Sequence, residues 1–460
     1  MATRDIQPLI APRSIAVIGA STNPNKSGGV LFSNLAKGGF KGNLYPINPG
    51  ASEVMGKKAY PSLADVPEAV DLVYIVLPQS QMATAIQQCI SAKARAACII
   101  TAGFSEAGTT GREAQNKLRQ VAQEANLLLA GPNTIGMVNT DCGMMGSFVN
   151  FPEWQSGGIS LFTQTGIFTG AVMRQIMDDP VTRLPISKSI DVGNKIDVDE
   201  VDFLEFASND AATKIIGLYI ESIVRPELFF AKAKALRGKK PIVLLKPGRT
   251  VQGQDASSRH TGSLPFDDRV FDDQMRQCGI VRTEDEDDFV NTLRALTMLP
   301  RARGRRVGLA TTSGALGVIA SDLIADHGLE LAVYDDATVS KMRSILPDWL
   351  EPANPFDFWI GIDVKGAKEA HEVGLRAVFA DPNVEMVLCT LLAPPNADFP
   401  EMAELLRTLR RQHDKPFVLV PYGSAGARWT TELIGADVPV CRTVRSGVRA
   451  LAMVAQASAV

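Results

Sequence analysis

The stretch Ile15-Ala16-Val17-Ile18-Gly19-Ala20-Ser21-Thr22-Asn23-Pro24-Asn25-Lys26-Ser27-Gly28-Gly29 joins a short apolar, β-branched run to a turn of glycines and small polar residues. A segment with helical spacing follows it. Strand, glycine turn, helix is the unit from which parallel sheets are built. The same alternation continues along the chain. Apolar runs stand at 72–77, 97–101, 127–130, 159–162, 215–220, 242–245, 307–310, 329–333, 384–391 and 417–420, with helix-patterned segments such as 81–92 and 113–124 between them. Continuous apolar strands separated by helices signify parallel sheets covered on both faces. The fold class is therefore α/β and doubly wound, and this many strands needs more than one sheet.

The chain has 460 residues, enough for about three domains of ordinary size. Apolar residues make up 45% and charged residues 21%, values of a globular protein rather than a disordered one. Lys and Arg number 47 against 50 Asp and Glu, so no basic excess favours nucleic acid or a membrane surface. The six cysteines, Cys89, Cys98, Cys142, Cys278, Cys389 and Cys441, form no CxxC pair and no zinc-ligand spacing. They read as small buried hydrophobes in a reducing compartment. Residues 1–13 are polar and broken by Pro8 and Pro12, unlike a signal peptide, and no apolar run is long enough to span a membrane. A cytoplasmic protein is expected.

Two boundaries suggest themselves: the polar stretch 151–158 and the Pro/Arg-rich stretch 299–306. They divide the chain into 1–150, 151–300 and 301–460. An internal echo links the last two. Leu161-Phe162-Thr163-Gln164-Thr165-Gly166 matches Leu309-Ala310-Thr311-Thr312-Ser313-Gly314 at a constant offset of 148 residues. Each segment later repeats an acidic turn before a strand (Asp210, Asp381) and a Lys-Pro strand start (Lys240-Pro241, Lys415-Pro416). Related domains, or simply two domains of one broad fold, account for this.

The turn after Ile18 lets backbone approach a ligand, and a helix N-terminus offers free N–H groups to a phosphate. It is not a GxGxxG. Tyr45-Pro46-Ile47-Asn48-Pro49 stands where an acidic ribose partner would follow, which argues against a nicotinamide dinucleotide and its oxidoreductases. Further strand ends carry Leu77-Pro78, Thr101-Ala102-Gly103 and Gly131-Pro132-Asn133. Turns at carboxyl ends of parallel strands either line a ligand groove or merely end the strands. Among four histidines, His327, His371 and His413 lie beside charged residues and read as surface. His260 sits in the polar loop Ser257-Ser258-Arg259-His260-Thr261-Gly262-Ser263-Leu264. Such a loop gives a nucleophilic imidazole the access it needs, and equally suits a solvated side chain.

Seven pieces in order (Ala16–Ser21, Tyr45–Pro49, Gly131–Asn133, Thr165-Gly166, Asp191-Val192-Gly193-Asn194, Gly217–Glu221 and His260–Leu264) make the chain resemble the NDP-forming acyl-CoA synthetases, relatives of succinyl-CoA synthetase. Residues 301–460 match mainly through Thr312-Ser313-Gly314 and Asn354-Pro355. The resemblance implies a Rossmann-like CoA-binding domain over 1–150, followed by two flavodoxin-like, succinyl-CoA synthetase-like domains over 151–300 and 301–460. It implies CoA binding through Gly19, Ala20, Ser21, Lys26, Asn48, Pro49, Pro78, Gly103 and Asn133. It makes His260 a phosphohistidine oriented by Glu221, with phosphate held at the helix-start turns Thr165-Gly166 and Ser313-Gly314. Capping of those helices would use the same hydroxyls.

The implied reaction is acid + CoA + ATP ⇌ acyl-CoA + ADP + phosphate on a small carboxylic acid, through acyl phosphate and phosphohistidine. ATP or ADP with Mg²⁺ belongs in that family to an ATP-grasp module, and neither this module nor a Walker lysine loop is visible here. An ATP-grasp β-type partner chain is expected, in an α₂β₂ assembly or with this chain dimeric alone; no protein-bound metal site is expected. Pro265 after the His motif and Phe358-Trp359 after Asn354–Asp357 bring apolar bulk that suits an acid larger than acetate. The competing reading is a CoA- or acyl-CoA-binding regulatory or scaffold protein, which would have no use for a His260–Glu221 pair.

Overall fold

The computed structural model describes residues 4–459 except 151–154, 167, 180, 182, 262–266, 393–399, 424–425 and 436. Three sheets, two parallel and one parallel but for an antiparallel hairpin at its edge, hold the strands expected from the apolar runs. In the first, the spatial order is Asn43–Ile47, Ser14–Ile18, Leu72–Ile75, Ala96–Ile99, Leu128–Ala130, all parallel. Counted along the chain this is 2-1-3-4-5, with the order reversing between Ser14–Ile18 and Leu72–Ile75. Every residue of those two strands is buried, as a sheet covered on both faces requires.

The second sheet repeats that order with Ile186–Asp191, Ile159–Thr163, Ile215–Tyr219, Ile242–Leu245 and Ile280–Thr283. Two antiparallel strands, Gly136–Asn139 and Met144–Ser147, extend it beyond Ile186–Asp191. The apolar-run reading did not single these out, because Gly136, Asn139 and Gly146 break the pattern. The third sheet runs Glu330–Leu331, Arg306–Thr311, Met386–Leu392, Phe417–Tyr422, with the short Phe356–Asp357 also paired to Arg306–Thr311. The run expected at 329–333 contributes only two ladder residues, as befits an edge strand.

The chain forms two compact units. One comprises 1–178 and 184–284 and holds the first two sheets; the other comprises 179–183 and 285–460 and holds the third. The helix Glu286–Met298 lies with the third sheet's unit, where it packs along the helix Val444–Ser458 and Asp288 pairs with Arg449. Residues 285–298 precede the Pro/Arg-rich stretch, yet their apolar face is buried beside the third sheet's helices.

The echo holds at the level of single hydrogen bonds. Gln164 N donates to Tyr219 O and Thr312 N to Thr390 O, 148 and 171 residues on. Glu221 N is received by the Gln164 side chain, and Leu392 N, again 171 residues on, by the Thr312 hydroxyl. Thr163 and Thr311 pair in register with Asp191 and Asp357, and each Asp accepts from the amide two residues later, Gly193 or Trp359. Lys240 Nζ donates to Ala207 O and Asp210 O; Lys415 Nζ donates to Phe379 O and Asp381 O. Each lysine thus caps the C-terminal end of the helix that precedes the neighbouring strand, Glu200–Asn209 or Ala367–Ala380, where free carbonyls and the negative dipole end favour a cation.

Two expectations are corrected in the third-sheet unit. His371 is not a surface residue but is 4% exposed, because it falls on the buried face of Ala367–Ala380 with Ala370, Gly374 and Leu375. Its ring meets Phe358 edge-on at 5.1 Å and burial lowers its pKa. Phe358 is fully buried and stacked on Phe356, so its bulk fills the core rather than a pocket. Trp359 is exposed, and Pro265 lies outside the described residues. Replacing Lys240 or Lys415 by Met removes two charge-assisted bonds at a helix end. Each substitution should cost about 1–3 kcal/mol in urea denaturation, with equal losses expected if the two positions are structural equivalents.

Candidate active site

The glycines after Ser14–Ile18 are dictated first by packing. Gly19 has φ +88°, and a Cβ there would stand 2.3 Å from Val76 O. A Cβ on Gly28 would stand 2.0 Å from Gly19 O. The helix Ser27–Lys37 therefore starts hard against the strand-end turn, with its first N–H groups facing the sheet's carboxyl edge. Asn48 Nδ2 donates to Ala20 O and its Oδ1 accepts from Gly50 N, which ties the second strand's turn to the first. Ala20 is buried, Ser21 and Asn48 are half-buried, and Lys26, Pro49 and Pro78 are exposed. Beyond the next strands, Gln79 Nε2 donates to Gly103 O at 2.5 Å and Thr101 Oγ1 to Leu77 O at 2.5 Å. These residues form one rim along the carboxyl ends.

A cavity of about 710 Å³ opens from this rim toward the second sheet, lined by Ser27, Thr101, Glu106, Asn133, Thr165 and Gly166 among others. Asn133 holds φ +61°, and its backbone N donates to Thr101 O. Its amide meets Asn194, whose own amide donates to Glu106 and Gln115. Burial alone would raise the Glu106 pKa. The bonds from Asn194 and from the Gly103 and Phe104 amides outweigh it and hold the carboxyl below its usual range. So of the sequence-expected residues, the cavity brings together Asn133, Thr165 and Gly166; Gly19, Ala20, Ser21, Lys26, Asn48, Pro49, Pro78 and Gly103 do not line it. Another cavity of about 590 Å³, lined by Arg4, Lys188 and Asp210 among others, contains none of them.

In the second sheet, the strand order reverses between Ile159–Thr163 and Ile215–Tyr219, and open α/β sheets bind ligands at such reversals. Gln164-Thr165-Gly166 forms one lip and Glu221 the other. Glu221 is 5% exposed. Its amide and that of Ser222 donate to Gln164 Oε1 at 2.9 and 3.2 Å. Lys246 Nζ donates to Glu221 O at 3.0 Å, and Lys195 Nζ to Ser222 O at 2.6 Å. Behind Gly166 lies the carboxylate of Asp191, which accepts from Ile135 N and Gly193 N. Burial raises its pKa to about 6 against those bonds.

His260 stands on the helix Val251–Thr261 rather than in a loop. Val251 to Thr261 lacks proline and glycine except Gly253, so its polar composition does not stop it from coiling. The His260 side chain and residues 262–266 lie outside the described residues. In the other unit, Ser313 is the N-cap of Gly314–Asp326, and its side chain makes no capping bond. Its backbone N is instead received by Thr311 Oγ1.

Lys195 and Lys246 were not singled out from sequence, and Gln164 was quoted only within the repeated helix-start turn. Asp191 and Asn194 were quoted only within a matching motif. Five of the six cysteines are buried and Cys142 is half-buried; burial raises the Cys89 thiol to about 12 and the Cys441 thiol to about 11. Among the described residues no helix is long and apolar enough to cross a membrane, and no three His, Cys, Asp or Glu side chains are grouped to hold a metal ion.

Comparison with known proteins places this geometry in a family. A CoA binding domain matches residues 13–140, and a succinyl-CoA ligase like flavodoxin domain matches residues 156–296. The chain is 33% identical to the α subunit of ADP-forming acetate–CoA ligase II of Pyrococcus furiosus, over 83% of this chain and 81% of that one. It is 36% identical to ADP-forming acetate–CoA ligase II of Archaeoglobus fulgidus, over 86% of this chain but 58% of that protein. The chain thus spans little more than half the length of that relative. Its fold matches the dinucleotide-forming acetyl-coenzyme A synthetase 1 of Ca. Korarchaeum cryptofilum, solved in complex with phosphate and ADP. The TM-score is 0.89 and the identity 29%, with 98% of this chain and 97% of that one covered. The chain belongs to the ADP-forming acetate–CoA ligase family, the NDP-forming acyl-CoA synthetases.

Gly19→Ala and Gly28→Ala should each destabilise the first unit by about 1–3 kcal/mol, through strain and overpacking. Urea denaturation measures this. A cost near zero for Gly28→Ala would mean that the helix start is free to move away from the turn.

Proposed function

We propose that this chain is the α-type part of an NDP-forming acid–CoA ligase that interconverts a carboxylic acid, CoA and ATP with acyl-CoA, ADP and phosphate. The observation that carries the reading is the cavity itself. It joins the helix start at Ser27 and the strand-end residues Thr101 and Asn133 of the CoA-binding sheet to the Gln164-Thr165-Gly166 lip of the succinyl-CoA ligase-like sheet. A thioester held on the first sheet would have its acyl carbon beside the lip that receives phosphate, so acyl transfer becomes a matter of proximity. The helix start at Ser27 and exposed Lys26 suit the phosphates of CoA.

In our reading, phosphate attacks the thioester carbonyl at this lip. The C–S bond breaks, CoA leaves as its thiol, and an acyl phosphate forms. His260 then attacks phosphorus; the P–O bond to the acyl group breaks and the acid leaves as carboxylate. Glu221 accepts from one imidazole nitrogen and keeps the other nucleophilic. The backbone N–H groups of Thr165-Gly166 hold the phosphoryl oxygens, and the Ser313-Gly314 turn, whose Ser313 makes no capping bond, is the second phosphate turn that the resemblance implies. The subsequent nucleotide step, with Mg²⁺, is assigned to an ATP-grasp partner chain in an α₂β₂ assembly.

Acetyl-CoA with radiolabelled inorganic phosphate should label the chain with acid-labile phosphate, and His260→Asn should abolish the label. Persistence of the label in His260→Asn would overturn the role of His260. No label across a series of acyl-CoAs would overturn the ligase reading in favour of a CoA-binding scaffold.

A further inference from the structure

The internal repeat acts as a control on the second sheet. Between the two copies the scaffold is duplicated bond for bond: the strand-end amide, the Asp beside the turn glycine and the helix-capping lysine. The lip opposite the glycine turn differs in its side chains, and the acceptor on the turn itself is Gln164 in one copy and Thr312 in the other. Leu392 stands at the place of Glu221. Register puts Pro421 at the place of Lys246, since Leu245 pairs with Tyr219 as Val420 pairs with Thr390. The carboxylate and the lysine that holds its carbonyl are therefore present together in one copy and absent together from the other.

Lys246 is 3% exposed and lies at the carboxyl end of Ile242–Leu245. Its Nζ reaches Glu221 O at 3.0 Å and Pro247 O at 3.4 Å, and stands 5.4 Å from the Phe271 ring centre. Placing an ammonium group here is costly unless the site needs it. A lysine is not required merely to satisfy carbonyls at a strand end. In the other copy, Pro421 brings neither a cation nor an N–H to that position.

We propose that Lys246 is a positioning residue for phosphoryl transfer: it fixes Glu221 through the Glu221 carbonyl and supplies positive charge that favours the phosphorylated state. This rests on reading His260 and Glu221 as the phosphoryl-transfer pair. The charged groups facing Lys246 are Glu221 on its neighbouring strand end, Lys195 on the loop after Ile186–Asp191, Asp268 on the helix Asp268–Cys278, and Arg282 on Ile280–Thr283. Burial, then Arg282 and Lys195, lowers the Lys246 pKa to about 7, with Asp268 and Glu221 opposing. The ammonium form thus becomes complete only well below pH 7 and is lost as pH rises through it.

The test is the rate of acid-labile labelling of the full chain from acetyl-CoA and radiolabelled phosphate, followed from pH 6 to pH 9. Wild type should lose labelling on the alkaline side with an apparent pKa near 7. Lys246→Met should label roughly ten- to a hundredfold more slowly at pH 6.5. Lys246→Arg, whose charge persists, should retain labelling and lose the alkaline decline. CoA binding measured by calorimetry should be unchanged in both, since the CoA rim lies on the other sheet. Lys246→Met that follows the wild-type rate and pH profile would overturn the proposal, as would a wild-type profile flat from pH 6.5 to 9. A wild type that never labels would instead sink the ligase reading, and this proposal with it.

Discussion

A parallel strand that ends at a reversal of strand order leaves its next peptide groups without a ladder partner, and buried peptide groups cannot stay unpaired. After Tyr219 this constraint is met by side chains. Gln164 receives the amides of Glu221 and Ser222, Glu200 receives that of Val224, and Lys246 and Lys195 bind the carbonyls of Glu221 and Ser222. The segment 221–224 is thereby anchored on four sides: by the neighbouring strand's turn, by the loop after Ile186–Asp191, by the start of the helix Glu200–Asn209, and by the next strand. A carboxylate mounted on so constrained a peptide has little freedom to wander, as the role proposed for Glu221 requires.

Electrostatics at this end of the sheet are assembled from buried ions in different circumstances. Lys195 is paired with Glu200 at 2.9 Å, both almost fully buried. Arg282 is engaged by Asp268 and Asp272. Asp191, behind Gly166, is stripped of water, which raises its pKa to about 6.

How much of this was legible follows from the kind of information each feature carries. Apolar runs reveal parallel strands directly, because burial on both faces removes polar positions; Ser14–Ile18 and Ile242–Leu245 were plain for that reason. Gly136–Asn139 and Met144–Ser147 were not, since short antiparallel strands with glycines resemble loops. Glu221 was legible as a strand-end carboxylate within a known motif. Gln164, Lys195 and Lys246 were hidden because their importance lies in which carbonyl or amide each reaches across the fold. His371 was misread because its charged neighbours in sequence occupy other faces of its helix, while its own face is apolar. His260 was expected in a loop because small polar residues suit turns, but local composition only weakly opposes a helix.

The two antiparallel strands at 136–147 alter how the molecule can be taken apart. They follow the last strand of the first sheet, yet their ladder belongs to the second, where Met137–Asn139 pair with Lys188–Ile190. Asn139 also reaches back to hold Ile10 O, and Asn34 grips the carbonyls of Ser147 and Val149. Severing the chain near residue 150 would leave the first fragment carrying an orphaned hairpin and the second with a raw sheet edge. The first two sheets are interlaced by their own covalent thread, and modular reshuffling of this protein would have to move them as a pair.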